Sequence, residues 1–158
     1  MALRNIVLEG DEILRKHCKE VDQVTDHIRM ILDDMVETMR QADGVGLASP
    51  QVGIMRRMIV AEPEQGTVYK MVNPEIIKME GEQESEEGCL SVPGYTGSVK
   101  RPATIEIKYL DENGKQQQKI FEDFEAVVAC HEFDHLEGIL FIDKAENIYQ
   151  VTNPEEEE

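Results

Sequence analysis

The chain has 158 residues and a formal net charge of −17, from 33 acidic and 16 basic residues. That length suits one ordinary domain that buries a core without disulfides or a structural metal, and so acidic a surface is repelled by nucleic acid and anionic membranes. The three cysteines, Cys18, Cys89 and Cys130, are scattered, which argues against a disulfide framework and for a reducing compartment. No apolar run approaches a membrane span or a signal peptide, so a cytoplasmic location is expected.

Residues 1–25 mix short apolar pieces with charge, and residues 11–15 are expected to form a helical turn. From Thr25 the period becomes helical. Ile28, Ile31, Leu32, Met35, Val36 and Met39 share one face, Asp33, Asp34, Glu37 and Arg40 the other, and the stop falls at Gly44. The methionines on that stripe read as core. Gly44-Val45-Gly46-Leu47-Ala48-Ser49-Pro50-Gln51 follows, glycine-punctuated and suited to close backbone approach. It lacks the Lys-Ser/Thr of a phosphate loop and does not complete a dinucleotide fingerprint.

Residues 58–80 read as short strands with a turn at Asn73-Pro74, and residues 80–87 as a charged connection ending in Glu87-Gly88-Cys89-Leu90-Ser91. Ile105, Ile107 and Tyr109 then alternate with polar neighbours. Asp111-Glu112-Asn113-Gly114 makes a hairpin turn and residues 115–121 return, which predicts an antiparallel sheet packed on one side. A helix follows, with Asp123 as its N-cap, an inward stripe of Phe124, Val127, Val128, His131 and His135, and Gly138 as its stop. Residues 139–142 are a short apolar piece. Residues 1–150 are expected to form a single catalytic domain, and residues 151–158 an acidic, disordered tail.

The chemistry concentrates in His131-Glu132-Phe133-Asp134-His135. On a helix the two histidines project from one face about one turn apart, so both imidazoles reach one ion, and the Glu between them is placed as a base. A third donor is needed. The metzincin extension would put a histidine at position 141, where Phe stands, and a glutamate some twenty residues downstream falls in the tail near Glu155. Cys130 points about 100° away from His131. Cys89 is then the best candidate, and two imidazoles with one thiolate leave a fourth position for water. A zinc endopeptidase with a different third ligand is the alternative.

Three segments carry a resemblance. Gly44 to Gln51, Glu87-Gly88-Cys89-Leu90-Ser91 and His131 to His135 resemble the three motifs of peptide deformylase, in that family's order and spacing, and the likeness extends over residues 6–143. It implies an α+β fold, with antiparallel sheets packed around a central metal-binding helix. It implies one divalent ion per chain, Fe(II) as the native metal with Zn, Ni or Co able to replace it, held by Cys89, His131 and His135. Glu132 would be the base, and the Gln51 amide with the Leu90 backbone N–H would stabilise the oxyanion. Gly44, Val45, Gly46, Glu87, Gly88, Val127 and Val128 would bind substrate: Gly46 through its backbone, Val45, Val127 and Val128 around the methionine side chain, and Glu87 held by Arg101.

The resemblance further implies N-formyl-methionyl nascent peptides as substrates, a monomer, and the shorter bacterial form. Ser49 and Cys130 depart from the family pattern, and no arginine follows Ser91 to hold the peptide backbone, so main-chain pairing is expected to carry more of the affinity. The chain ends in four glutamates where some members dock on the ribosome through a basic helix. Ribosome docking is therefore expected to be weak or absent.

Overall fold

The computed structural model describes residues 2–151. In chain order they form α1 (Asp26–Gln41), β1 (Gly46–Ala48), β2 (Met58–Glu64), β3 (Thr67–Glu80), β4 (Gln83–Cys89), β5 (Val92–Arg101), β6 (Thr104–Leu110), β7 (Gln116–Glu122), α2 (Asp123–Leu136), a single turn α3 (Phe141–Lys144) and β8 (Ile148–Gln150). Short 3-10 turns at Glu12–Arg15 and Ser49–Val52 complete the set. Two antiparallel sheets result, one in the order β1-β2-β3-β6-β7 and one in the order β4-β5-β8. The architecture is thus α+β with antiparallel sheets. The tail beyond Val151 lies outside the described residues.

Strand periodicity sorts the core into layers. Successive residues of a strand point to opposite faces. Met58 and Val60 therefore meet Leu32, Met35 and Met39 of α1, while Ile59 joins Met71, Ile105, Ile107 and Phe121 against Ala126, Ala129, Cys130 and Leu136 of α2. Burial on both faces explains why Met58-Ile59-Val60-Ala61 is continuously apolar. The smaller sheet closes over a third cluster of Leu14, Val92, Val99, Leu140 and Phe141. No helix among the described residues is long and apolar enough to cross a membrane.

Several local expectations are corrected. Thr25 caps α1 through the Ile28 N–H, but Asp34 is buried rather than solvated, because the Arg4 guanidinium reaches it at 2.9 Å. The helix ends at Gln41, and Asp43 takes the positive φ after it. Asn73-Pro74 does not turn the chain: β3 runs through it with a shifted register, and the Asn73 side chain pairs both ways with the Val21 backbone at 2.8 and 2.9 Å. The charged connection is strand β4. Helix α2 starts one residue early, with Glu122 at the cap position and no side-chain capping bond, while Asp123 has φ +53°. Phe124 is 52 % exposed instead of core.

Candidate metal centre

From Ala126 to Leu136 only Phe133 is not buried, so α2 is enclosed nearly all round rather than along one stripe. Helical spacing brings the His131 and His135 rings to 5.0 Å between centroids. The β4–β5 hairpin delivers the third donor, placing Cys89 Sγ 3.4 Å from His135 Nε2. The donor atoms of Cys89, His131 and His135 all lie within 4.8 Å of one another. One edge of a tetrahedral site with thiolate and imidazole ligands is about 3.6 Å, from metal–ligand distances of about 2.3 and 2.05 Å. The cluster therefore fits one divalent ion. No glutamate from the C-terminal side joins it among the described residues.

Among the described residues, two buried side-chain polar atoms lack a partner, Glu132 Oε1 and His135 Nδ1. Glu132 Oε1 is 3.9 Å from His135 Nε2. Burial pushes the Glu132 carboxyl up to about 7, against the pull of His131. A carboxylate so placed can accept and return a proton near neutral pH. Burial, with His131 and Arg101 nearby, holds His135 well below the usual histidine range. It is therefore neutral, as a metal donor must be. Burial opposes charge on His131 too, but without an ion Glu132, Cys89 and Glu87 together raise it to about 10, so a bound divalent ion must displace the proton on its Nε2.

Behind His131 lies an ion network. Its Nδ1 sits 2.9 Å from Glu87 Oε1, which leaves Nε2 for the cluster. Arg101 donates to both Glu87 oxygens at 2.9 and 2.7 Å and to Asp134 at 2.6 Å, and Lys144 reaches Asp134 at 3.1 Å. Burial alone would raise the Glu87 carboxyl, but hydrogen bonds from Arg101, His131 and Ser85 hold it down at about 2. Both Glu87 oxygens are thus engaged within the network, although the residue also lines the cleft. Ser85, Asp134 and Lys144 escaped the sequence reading. The available signal was Asp134 itself, a charge on a helix that buries its metal-binding face and so needs a cation.

Above the cluster opens a cavity of about 410 Å³, lined by Gly44, Val45, Gly46, Gln51, Glu87, Gly88, Cys89, Leu90, Val127, Val128, His131 and Glu132, with Tyr95 and Phe124 at its sides. His135, 1 % exposed, lies beneath this lining. Gly46 is there for space: a Cβ would overlap Glu132 Oε2 and stand 2.9 Å from the Glu132 Cγ and Cδ. The Gln51 side chain is fixed at both ends. Its Oε1 accepts from Ala48 N–H at 2.9 Å, and its Nε2 donates to Ser91 Oγ at 3.0 Å and faces Cys89 Sγ at 3.6 Å. The two departures lie apart from the donors. The Ser49 hydroxyl bonds the Arg56 carbonyl, and Cys130 is buried in the sheet-facing core, where burial lifts its thiol to about 11.

Fold and site together define a class: an α+β hydrolase with a thiolate and two imidazoles able to hold one divalent ion beside a buried carboxylate. The comparisons name the family within that class. The sequence profile of polypeptide deformylase matches residues 3–151. The chain is 50 % identical over 145 residues to a peptide deformylase of Thermoanaerobacter pseudethanolicus, covering 92 % of this chain and 91 % of that protein. It is 46 % identical to one of Agathobacter rectalis over the whole of both chains. Its fold matches the crystal structure of the Thermotoga maritima peptide deformylase with a TM-score of 0.90 at 36 % identity, covering 93 % of this chain and all of that one. It also matches the Synechococcus elongatus peptide deformylase in complex with actinonin, with a TM-score of 0.88 at 40 % identity over 90 % of this chain and 79 % of that one. The chain belongs to the peptide deformylase family and is an enzyme of that family.

Proposed function

We propose that this chain hydrolyses the formyl group from N-formyl-methionyl peptides, releasing formate and a free amino terminus. One observation carries the reading. Glu132, buried and with one oxygen unpartnered, stands beside the Cys89, His131 and His135 donors at the floor of an apolar-walled cleft. A divalent ion held by these three side chains supplies Lewis-acid activation of water and of the formyl carbonyl when bound. Fe(II) is the proposed native ion. Zn, Ni and Co suit the same mixed donor set.

The chain's own residues do the rest. Glu132 takes a proton from the attacking water as its oxygen bonds to the formyl carbon. The Gln51 amide and the Leu90 backbone N–H donate to the oxyanion that develops on the formyl oxygen, each donor contributing about 3 kcal/mol. As the C–N bond breaks, Glu132 delivers its proton to the leaving amine. Val45, Val127 and Val128 hold the methionine side chain, while Gly46 and Gly88 keep backbone groups open to the peptide. β4 is an edge strand of its sheet. The peptide main chain pairs along that edge, without needing an arginine after Ser91.

The test is formate release from a formyl-methionyl tripeptide by protein purified without oxygen. About one ion per chain and steady turnover are expected, with ion and activity lost together in Cys89→Ala. A Cys89→Ala protein that keeps its ion would overturn the ligand assignment. Peptide-bond cleavage without formate would replace this reading with the endopeptidase.

A further inference from the structure

The N-terminal segment before the first 3-10 turn takes no part in either sheet, yet it is tied down along its length. At its start, Ala2 N–H donates to Asp34 Oδ1 at 2.9 Å, the Arg4 guanidinium grips Asp34 Oδ2 at 3.2 and 2.9 Å, and Arg4 N–H donates to Thr38 Oγ1 at 2.9 Å. Asp34 and Thr38 are one turn apart on α1, 2 % and 3 % exposed. These buried polar groups on a core helix take their partners from the segment. At its far end, Val7 N–H donates to the Gln51 carbonyl at 2.7 Å and Glu9 N–H to the Ser91 carbonyl at 2.6 Å.

Those two carbonyls belong to the two separate loops that bear the oxyanion donors. Gln51 lies in the last turn of the 3-10 segment Ser49–Val52, where a carbonyl lacks an intrahelical partner. Ser91 follows Leu90 at the tip between β4 and β5. The loops also meet through Gln51 Nε2, which donates to Ser91 Oγ at 3.0 Å and faces Cys89 Sγ at 3.6 Å. Gln51 and Ser91 are 1 % and 0 % exposed, so water does not replace the Val7 and Glu9 donors easily. The N–H groups of Val7 and Glu9 thus cross-link both loops, and the segment is anchored on α1.

We propose that residues 2–9 are a positioning strap for the oxyanion donors. Through Val7 and Glu9 the strap sets the separation between the Gln51 amide and the Leu90 N–H. This rests on the donor roles assigned above. The strap makes no hydrogen bond to Cys89, His131 or His135; the Val7 side chain packs into the same apolar cluster as Cys89, so the contact to alter is the Glu9 N–H and not Val7. Loosening it should therefore lower kcat while leaving KM and bound metal in place.

Glu9 is exposed, so its backbone N–H can be altered apart from its side chain. The full chain is compared as wild type, Glu9→Ala, Glu9→Pro, and a semisynthetic protein joined at Cys18 in which the Glu9 amide is an ester. Expected are wild-type kinetics for Glu9→Ala. For Glu9→Pro and the ester, kcat should fall about ten- to a hundredfold, with KM and metal content unchanged. In a Gln51→Ala background the ester should cost much less, because the donor it positions is gone. Hydrogen exchange is read on the same proteins: the amides of Ser49, Gln51, Val52 and residues 90–92 should exchange faster in the ester while those of α2 do not. Unchanged exchange at both loops, or a loss of activity fully additive with Gln51→Ala, would overturn the strap. A wild type that releases no formate would overturn the donor roles instead, and the exchange comparison would still decide whether residues 7–9 hold the two loops.

Discussion

Gly46 and Glu132 set the closest tolerance at the site. The backbone of β1 lies against the Glu132 side chain, and a methyl group at position 46 would collide with its terminal oxygen, Cγ and Cδ together, so the whole side chain must move. Gly46→Ala should displace the carboxylate without unfolding the sheet. Because misplacing a reacting group by about 1 Å can cost a hundredfold, kcat should fall about that much with little change in melting temperature. Near-normal kcat in Gly46→Ala would show that Glu132 need not sit where the structure puts it. The Glu87–Arg101 pair is a second tolerance, electrostatic in kind. Glu87 drops from an ordinary value of 4.5 to about 2 in the folded protein. A depressed carboxyl stabilises the fold fully above its unfolded pKa and loses that contribution as pH falls through the folded one. On metal-free protein, stability should therefore decline between about pH 4.5 and 2 by on the order of 3 kcal/mol from this group. Glu87→Gln, followed by denaturant unfolding at stepped pH, should flatten that window; an unaltered slope would assign the acid loss elsewhere.

At the level of elements, α2 and the two chain segments that reach it build the site. Its C-terminal end is fixed by Gly138 at φ +78°, packed so that a Cβ would stand 2.5 Å from the Arg15 carbonyl oxygen. Both the left-handed backbone and the contact exclude a side chain. Gly138→Ala should lower unfolding stability by about 2 kcal/mol or more, seen as a lower denaturant midpoint, whereas a neutral substitution would mean that the loop after α2 re-forms freely. Helix α1 and the β6–β7 hairpin were legible because their burial follows a single period. Strand β4 was not. In Gln83-Glu84-Ser85-Glu86-Glu87 the one buried side chain is a carboxylate, held by Arg101 from the neighbouring strand, and hydrophobic patterning carries no sign of that. The bulge at Asn73 was hidden for a similar reason. Asn-Pro ordinarily signals a turn, but here the Asn side chain replaces the missing ladder bonds by pairing with Val21. Phe124 was misplaced because a one-face stripe was assumed for a helix enclosed nearly all round.

Across the whole molecule, three distant segments converge on one cleft. Gly44 to Gln51 follows α1, Cys89 closes β4, and the histidines ride on α2, between 38 and 46 residues apart along the chain where they bond or approach one another. Their meeting was readable as a resemblance of motifs. The strap from residues 2–9 was not, since it acts through backbone N–H groups that carry no residue signature. The excess of negative charge sets the surroundings of this site. With 33 acidic against 16 basic residues, the net charge of −17 repels RNA. In the proposed reaction Glu132 is the group that moves the proton. The most direct measurement is formate release from a formyl-methionyl tripeptide by Glu132→Gln and wild type, compared at equal bound metal. An intact ion and a fall in kcat of about a thousandfold or more are expected, since the amide keeps the shape but cannot take the proton. A Glu132→Gln protein with full metal and near wild-type formate release would contradict that role.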